Sequence, residues 1–293
     1  MNRAYKELYL KFEEQGYHKA SRALKVAYSL QREDMNKLIG SLARLLFKYK
    51  VEEDRLQLTA SQLKNLNEQF ESMVTDIVRG EHILEKSTIQ ELLPVITSEK
   101  YNKVAYLLGA GINFKMNILS KSKSKDIVYT KVDQKLWSSR LWRNKQALHK
   151  NLTKTIKNFM LGNTNVSNIE KDVKKRFASN AYDTKRLVET EVARCQSEAN
   201  QIFAEEHNID EVMYVATLDK RTCEICSHDD GRIFKLLDPN KPSLPRHPLD
   251  RCCYVSVPFD DWKPTVRKAG NEYIPYMTYG EWKNKILGQQ VEG

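Results

Sequence analysis

From Met1 to about Tyr49 apolar residues recur at helical spacing, with Leu38, Leu42, Leu45 and Tyr49 set among many Lys, Arg, Glu and Gln, which predicts an amphipathic helix. Leu63, Leu66, Phe70, Met73 and Ile77 keep a three-and-four spacing behind Thr59 and Ser61. A second helix is expected there, suited to packing on another and ended by Gly80. A shorter helix around 87–93 should stop before Pro94, and another over 99–108 should end at the Gly109-Ala110-Gly111 break. The stretch 121–159 begins as a flexible basic segment and becomes helical where Leu148, Leu152, Ile156 and Phe159 line one face. Ser167-Asn168-Ile169-Glu170 reads as a capping box, followed by Ile169, Val173 and Phe177, and Asp183 as the cap of a further helix. On that helix Val188, Val192, Cys195, Ala199 and Ile202 share a face, which makes Cys195 a small core residue.

After Asn208 the period shortens. Residues 211–218, 232–236 and 254–257 read as strands, with Asp230-Gly231 as a tight turn. The expected fold class is α+β, mainly α: a helical N-terminal and central body followed by a small β-rich Cys/His module. The expected division is an N-terminal helical region 1–115, a basic central helical region 116–208, the module at 209–259 and a tail at 260–293. That tail carries Trp262, Tyr273, Tyr276, Tyr279 and Trp282, and its role is not readable from the pattern.

Composition narrows the classes. The chain has 293 residues, 41% hydrophobic and 29% charged, with 11 Gly and 8 Pro, values of a folded chain rather than a collagenous or disordered one. No apolar run reaches spanning length, mean hydropathy is −0.61, and the first residues lack the apolar core of a secretory signal, so no membrane association or Sec export is expected. The formal charge is +10, and residues 101–200 hold 20 Lys or Arg against 8 Asp or Glu. That block favours an anionic partner, and phosphate neutralisation without sequence preference is its simplest use. Lys121, Lys123, Lys125, Lys131, Lys135, Arg140, Arg143, Lys145 and Lys150 are the candidate DNA-binding residues. Trp137 and Trp142 lie among them, as base-stacking platforms or, more commonly for such residues, as packing anchors.

Four of the five cysteines fall between 223 and 253. Cys223 and Cys226 form a C-x2-C turn, and His247 with a cysteine of the adjacent pair Cys252-Cys253 can close a tetrahedral site, the usual logic of structural zinc. Cys223, Cys226, His247 and Cys252 are the favoured ligands of a structural Zn2+. Strand geometry turns only one of Cys252 and Cys253 towards the ion, and the sequence does not say which. His228 is an alternative ligand or a solvated loop residue. His18, His82, His149 and His207 have no ligand-like neighbours. Reduced surface thiols, or disulfides outside a cell, are the other readings of the cysteines.

Three strings are similar to the signature of the phage Mu F-like, or SPP1 gp7-like, minor head proteins. They are Leu218-Asp219-x-Arg221-Thr222-Cys223-x-x-Cys226, Asp230-Gly231-Arg232-Ile233-Phe234 and Pro245-x-His247-Pro248-x-x-Arg251-Cys252. Arg186-Leu187-x-x-Thr190-Glu191 and the Trp137 to Trp142 region resemble helical parts of the same family, for a coverage of roughly 130–260. The family often reads H-P-x-C-R-C, whereas Asp250 stands here at the first of those cysteines and Cys253 follows Cys252; either would have to substitute if the family site uses that first cysteine. The resemblance implies a minor capsid protein without enzymatic activity, inside the phage head near the portal, acting in head assembly and genome packaging or ejection. Portal protein, major capsid protein or scaffold, and double-stranded phage DNA are the implied partners, with the host cytoplasm as the place of assembly. Relatives carrying an added toxin domain need more chain than follows the module here. The alternative is a zinc-stapled DNA nuclease, which would need a histidine base beside a catalytic metal, although His247 is already claimed as a structural ligand. A host transcriptional or RNA-binding zinc protein lacks a recognition helix beside the cysteines.

Overall fold

The computed structural model describes residues 2–109, 118–217, 222–257, 266–269, 272–275, 277–278 and 281. Long helices dominate: α1 (Asn2–Lys48), α2 (Ala60–Gly109), α3 (Lys121–Val128), α4 (Trp137–Met160) and α5 (Val166–Glu206). A two-residue hairpin, β1 (Val51–Glu52) and β2 (Arg55–Leu56), joins α1 to α2. Beyond α5 come β3 (Glu211–Val215), α6 (Glu224–Asp229), β4 (Ile233–Lys235), β5 (Cys253–Val257) and the pair β6 (Val266–Ala269) and β7 (Glu272–Pro275). The class is α+β, mainly α. No described helix is long and apolar enough to cross a membrane.

The chain forms two compact units. One comprises residues 21–91 and 131–188 and is helical apart from the hairpin. Its core is built by Leu38, Leu42 and Leu45 of α1, Leu66, Phe70 and Ile77 of α2, Leu148, Leu152 and Phe159 of α4, and Ile169, Val173 and Phe177 of α5. These are the positions that the helical periodicity marks as one apolar stripe per helix. Trp137 joins the buried side chains at 1% exposure, so it does not stack on bases. Trp142 is half exposed and meets His82 edge-on at 4.8 Å.

Three expected helix boundaries are not where the pattern puts them in this unit. Gly80 lies inside α2 with nothing within 4 Å of where a Cβ would stand; the buried stripe on either side of it outweighs the modest penalty of a helical glycine, roughly 1 kcal/mol. Ser167 is not the N-cap, because α5 already begins at Val166. The cap comes from the hairpin turn. Glu53 and Asp54 both have positive φ there, and Asp54 accepts the Val166 N–H on its carbonyl at 2.8 Å and the Ser167 hydroxyl on its carboxylate at 2.8 Å. Orphan donors of the first turn are thus satisfied by a residue distant in sequence. Asp183 caps nothing either; it sits within α5 and pairs with Arg186.

The other unit comprises residues 1–20, 92–130 and 189–293. Here α2 continues through Pro94, whose missing N–H breaks one rung of the helix. Buried Leu93 and Ile96 flank it, and Ser124 of α3 donates to the Pro94 carbonyl at 2.9 Å. Lys121–Val128 is a capped helix rather than a flexible lead-in: Ser120 accepts the Lys123 N–H, and Ser124, Ile127 and Val128 are buried. The three-stranded antiparallel sheet runs β4-β3-β5, with Met213 opposite both Ile233 and Val255. It packs on α5, where Asn200 donates to the Tyr254 carbonyl and accepts from Tyr9 of α1. The strands fall where the period shortens, and Gly231 at φ 81 makes the expected turn. Cys195 is fully buried and burial raises its thiol to about 12. Gly109 of the expected break is the last described residue of α2, whereas Ala110 and Gly111, the motif residues Leu218, Asp219 and Arg221, and the tail residues Trp262, Tyr276, Tyr279 and Trp282 lie outside the described residues.

Candidate functional site

Cys223 precedes the first turn of α6 and accepts the Cys226 N–H on its sulfur at 3.4 Å, while its carbonyl takes the Ser227 N–H at 2.9 Å. A six-residue helix is marginal alone. What this one does is hold the two sulfurs of the C-x2-C pair on one side. His247 arrives from a loop that opens with a cis Leu244-Pro245 bond. Its Nε2 stands 3.5 Å from the Cys223 sulfur and 3.7 Å from the Cys226 sulfur, and its Nδ1 is 3.0 Å from the Pro248 carbonyl. A carbonyl only accepts, so in the neutral ring Nδ1 carries the proton and Nε2 turns its lone pair to the thiols.

That geometry fits a metal. For bonds of about 2.3 Å to sulfur and about 2.05 Å to nitrogen, tetrahedral angles separate the two donors by about 3.6 Å. The ligand atoms of Cys223, Cys226 and His247 lie within 4.8 Å of one another, as do those of Cys226, Asp250 and Cys252. Cys226 belongs to both groups. Cys252 therefore faces the site, whereas Cys253 opens β5, is buried and pairs in register with Val215. The groups line a pocket of about 200 Å³ together with Thr217, Thr222 and Leu249. Electrostatics place the charge on one sulfur: a hydrogen bond from Cys252, against the opposing effect of burial, holds the Cys226 thiol well below its ordinary value, while that same bond raises Cys252 and burial raises Cys223. Burial works against a charged His247, but the Pro248 carbonyl and the Cys226 sulfur outweigh it and raise its pKa.

The surrounding loop is tied down on several sides. Burial opposes ionisation of Asp229, yet hydrogen bonds from Arg246, His228 and Arg232 overcome it and hold the carboxyl below its usual range. Arg246 also donates to the Ile225 carbonyl at 3.0 Å, linking the histidine loop to α6. His228 is thus bound to Asp229 at 3.0 Å and belongs to neither ligand group. Leu249 takes φ 63, unusual for a branched residue, and its N–H meets the Thr190 hydroxyl of α5 at 3.2 Å. Tyr17 of α1 donates to the Asp250 carbonyl at 3.4 Å. Next to Thr190, buried Glu191 pairs with Arg194, whose guanidinium also bonds the Ile127 and Val128 carbonyls at the end of α3. The Thr190-Glu191 string of α5 and the histidine loop are in this way one piece of structure. Periodicity had no means of showing that link, since 59 residues separate Thr190 from Leu249.

The basic residues divide sharply. Lys145 is not on the surface: it is 0% exposed, between Glu81 and Glu85 at 2.7 Å each and Asn180 at 2.8 Å, so it cannot reach a phosphate. Its place in the α4 stripe, one turn from Leu141 and Leu148, gives the reason. Lys123 is exposed but engaged by Glu206, and Arg140 is half-buried. Lys121, Lys125, Lys131, Lys135, Arg143 and Lys150 are exposed. The structure adds Lys154 and Lys157, which with Arg143 and Lys150 line the outer face of α4 over about 21 Å. None of these four pairs with an acid among the described residues, and α4 contains no Asp or Glu. The helical unit of 21–91 and 131–188 holds 25 Lys and Arg against 15 Asp and Glu, while the rest of the chain holds 23 against 23. The entire net charge of +10 therefore resides in that unit.

Residues 146–255 match the family described as Phage Mu protein F like protein. This stretch contains the three signature strings and the Arg186 to Glu191 segment, but not the Trp137 to Trp142 region, and runs from within α4 through α5 and the Cys/His module into β5. No curated protein and no solved structure gives a match.

Proposed function

We propose that the chain is a minor head protein of a phage or prophage, acting in head morphogenesis rather than in catalysis. The match over 146–255 carries this reading. Within it, Cys223, Cys226, His247 and Cys252 hold a structural zinc that fixes the β-rich module, and the ion's contribution is a closed cross-link rather than an open coordination site. The basic helical unit meets packaged double-stranded DNA along Arg143, Lys150, Lys154 and Lys157, with Lys131 and Lys135 nearby in sequence. Confinement of the whole charge excess to one unit supports a backbone contact without sequence preference. The neutral unit is the one left for portal and capsid proteins, inside a virion.

The test is electrophoresis of the purified chain with linear double-stranded DNA and Mg2+ across a salt series. Expected is a shift with uncut DNA that weakens steeply with salt. Replacing Arg143, Lys150, Lys154 and Lys157 together with Ala should flatten the log–log salt slope by up to about 3.6, at about 0.9 per phosphate contact. Lys123→Ala, which removes a cation already paired with Glu206, should leave the slope nearly unchanged. Cut DNA would overturn the non-enzymatic reading. A shift insensitive to the four-residue change would remove α4 as the contact.

A further inference from the structure

The two three-residue groups around Cys226 leave a choice. Cys223, Cys226 and His247 need a fourth donor, and both Cys252 and Asp250 stand beside Cys226. We infer that Asp250 is not a ligand but the positioning residue of the site, a carboxylate that folds the 246–252 loop so that His247 and Cys252 face the ion together. The inference rests on the metal reading above and goes beyond it, in naming the residue that shapes the site.

The hydrogen bonds carry the assignment. Asp250 is 1% exposed, and both its oxygens are engaged by main-chain donors: Oδ2 accepts the Arg246 N–H at 2.8 Å, and Oδ1 accepts the Cys252 N–H at 2.9 Å. Its own N–H closes the turn onto the His247 carbonyl at 3.2 Å. One donor belongs to the residue preceding the histidine and the other to Cys252 itself, so the side chain clamps both ends of the ligand loop. Among the described residues the Cys252 sulfur has no such main-chain duty. Thiolate is also the better donor in a set that already contains two sulfurs and an imidazole. Tyr17 and Thr190 hold the same loop from α1 and α5, which makes the clamp part of a supported shell rather than an isolated contact.

Cobalt(II) substitution of the full chain tests this, since thiolate-to-cobalt absorption per bound metal reports the number of sulfurs independently of affinity. Wild type should take one Co2+ with a three-thiolate spectrum. Asp250→Asn keeps one acceptor oxygen and should keep that spectrum and stoichiometry while binding roughly 10- to 100-fold more weakly, the usual cost of losing a supporting partner. Asp250→Ala should weaken binding further, and the recovery from Ala to Asn marks the acceptor role. Cys252→Ser should lose about one third of the sulfur absorption. If Cys252→Ser leaves the spectrum unchanged while Asp250→Asn alters its band positions, Asp250 is the ligand and the inference falls. If wild type binds neither Co2+ nor Zn2+, the metal reading itself falls, and this assignment with it.

Discussion

Changing Cys223 and Cys226 to Ser should abolish the proposed zinc binding and loosen residues 210–258 to protease, while the helical unit of 21–91 and 131–188 should stay folded. Strands β3 and β5 are buried, but the loop that carries His247 and Cys252 is held by scattered polar contacts. The module's sheet has three short strands, and the chain between β4 and β5 is a long irregular loop containing His247. Structural zinc in such settings contributes on the order of 10 kcal/mol or more, larger than a small sheet can replace. Serine is nearly isosteric with cysteine, so the effect reads the loss of two sulfur donors rather than a packing defect. The helical unit has its own four-helix core and contains none of the ligands. Metal content by elemental analysis and the timing of proteolytic cuts read the two halves of the expectation, and EDTA should reproduce the variant. Unchanged metal content together with unchanged protease resistance would refute the zinc assignment.

Lys145→Met should destabilise the helical unit by about 3–5 kcal/mol, because it leaves Glu81 and Glu85 buried without their cation. The three side chains sit at 0–1% exposure, with Asn180 bonding Lys145 and Thr184 bonding Glu85. Glu81 is already raised by burial, partly countered by Lys145 and reinforced by Glu85 and Asp34. A carboxyl raised in the folded state gives its stability below its unfolded pKa and loses it as pH climbs through the folded value. Removing Lys145 strengthens that behaviour, so the deficit of the variant should shrink as pH falls from about 7 to about 5. Urea unfolding at the two pH values measures it. Replacing Lys145, Glu81 and Glu85 together with apolar residues should recover most of the loss; a deficit unaffected by pH would mean that packing, not charge, is the cause.

Legibility followed the distance over which each feature is decided. The four apolar stripes could be read because each helix buries its own periodic face, and the C-x2-C pair because both cysteines come from one turn. Gly80 and Pro94 misled because their local penalties are smaller than the packing on either side. Lys145 looked like a surface cation because a sequence shows the residue but not Glu81 and Glu85 waiting 64 and 60 residues away; the clue was its place between Leu141 and Leu148 on the buried stripe. Thr190 and Asp250 could not be assigned roles from pattern, since their partners are main-chain N–H groups whose positions exist only after folding. Likewise the choice between Cys252 and Cys253 turned on where β5 begins.

The turn at Glu53-Asp54 bears on how the chain comes to be made. Asp54 ties down the start of α5 across 113 residues, so the first turn of that helix has no cap while it emerges from the ribosome unless the hairpin has already formed and docked. Closing so wide a span is slow compared with winding a helix. Helix α5 should therefore begin life frayed at Val166 and become anchored there late, which makes the hairpin turn a place where a single substitution delays assembly without touching either the core or the cysteines.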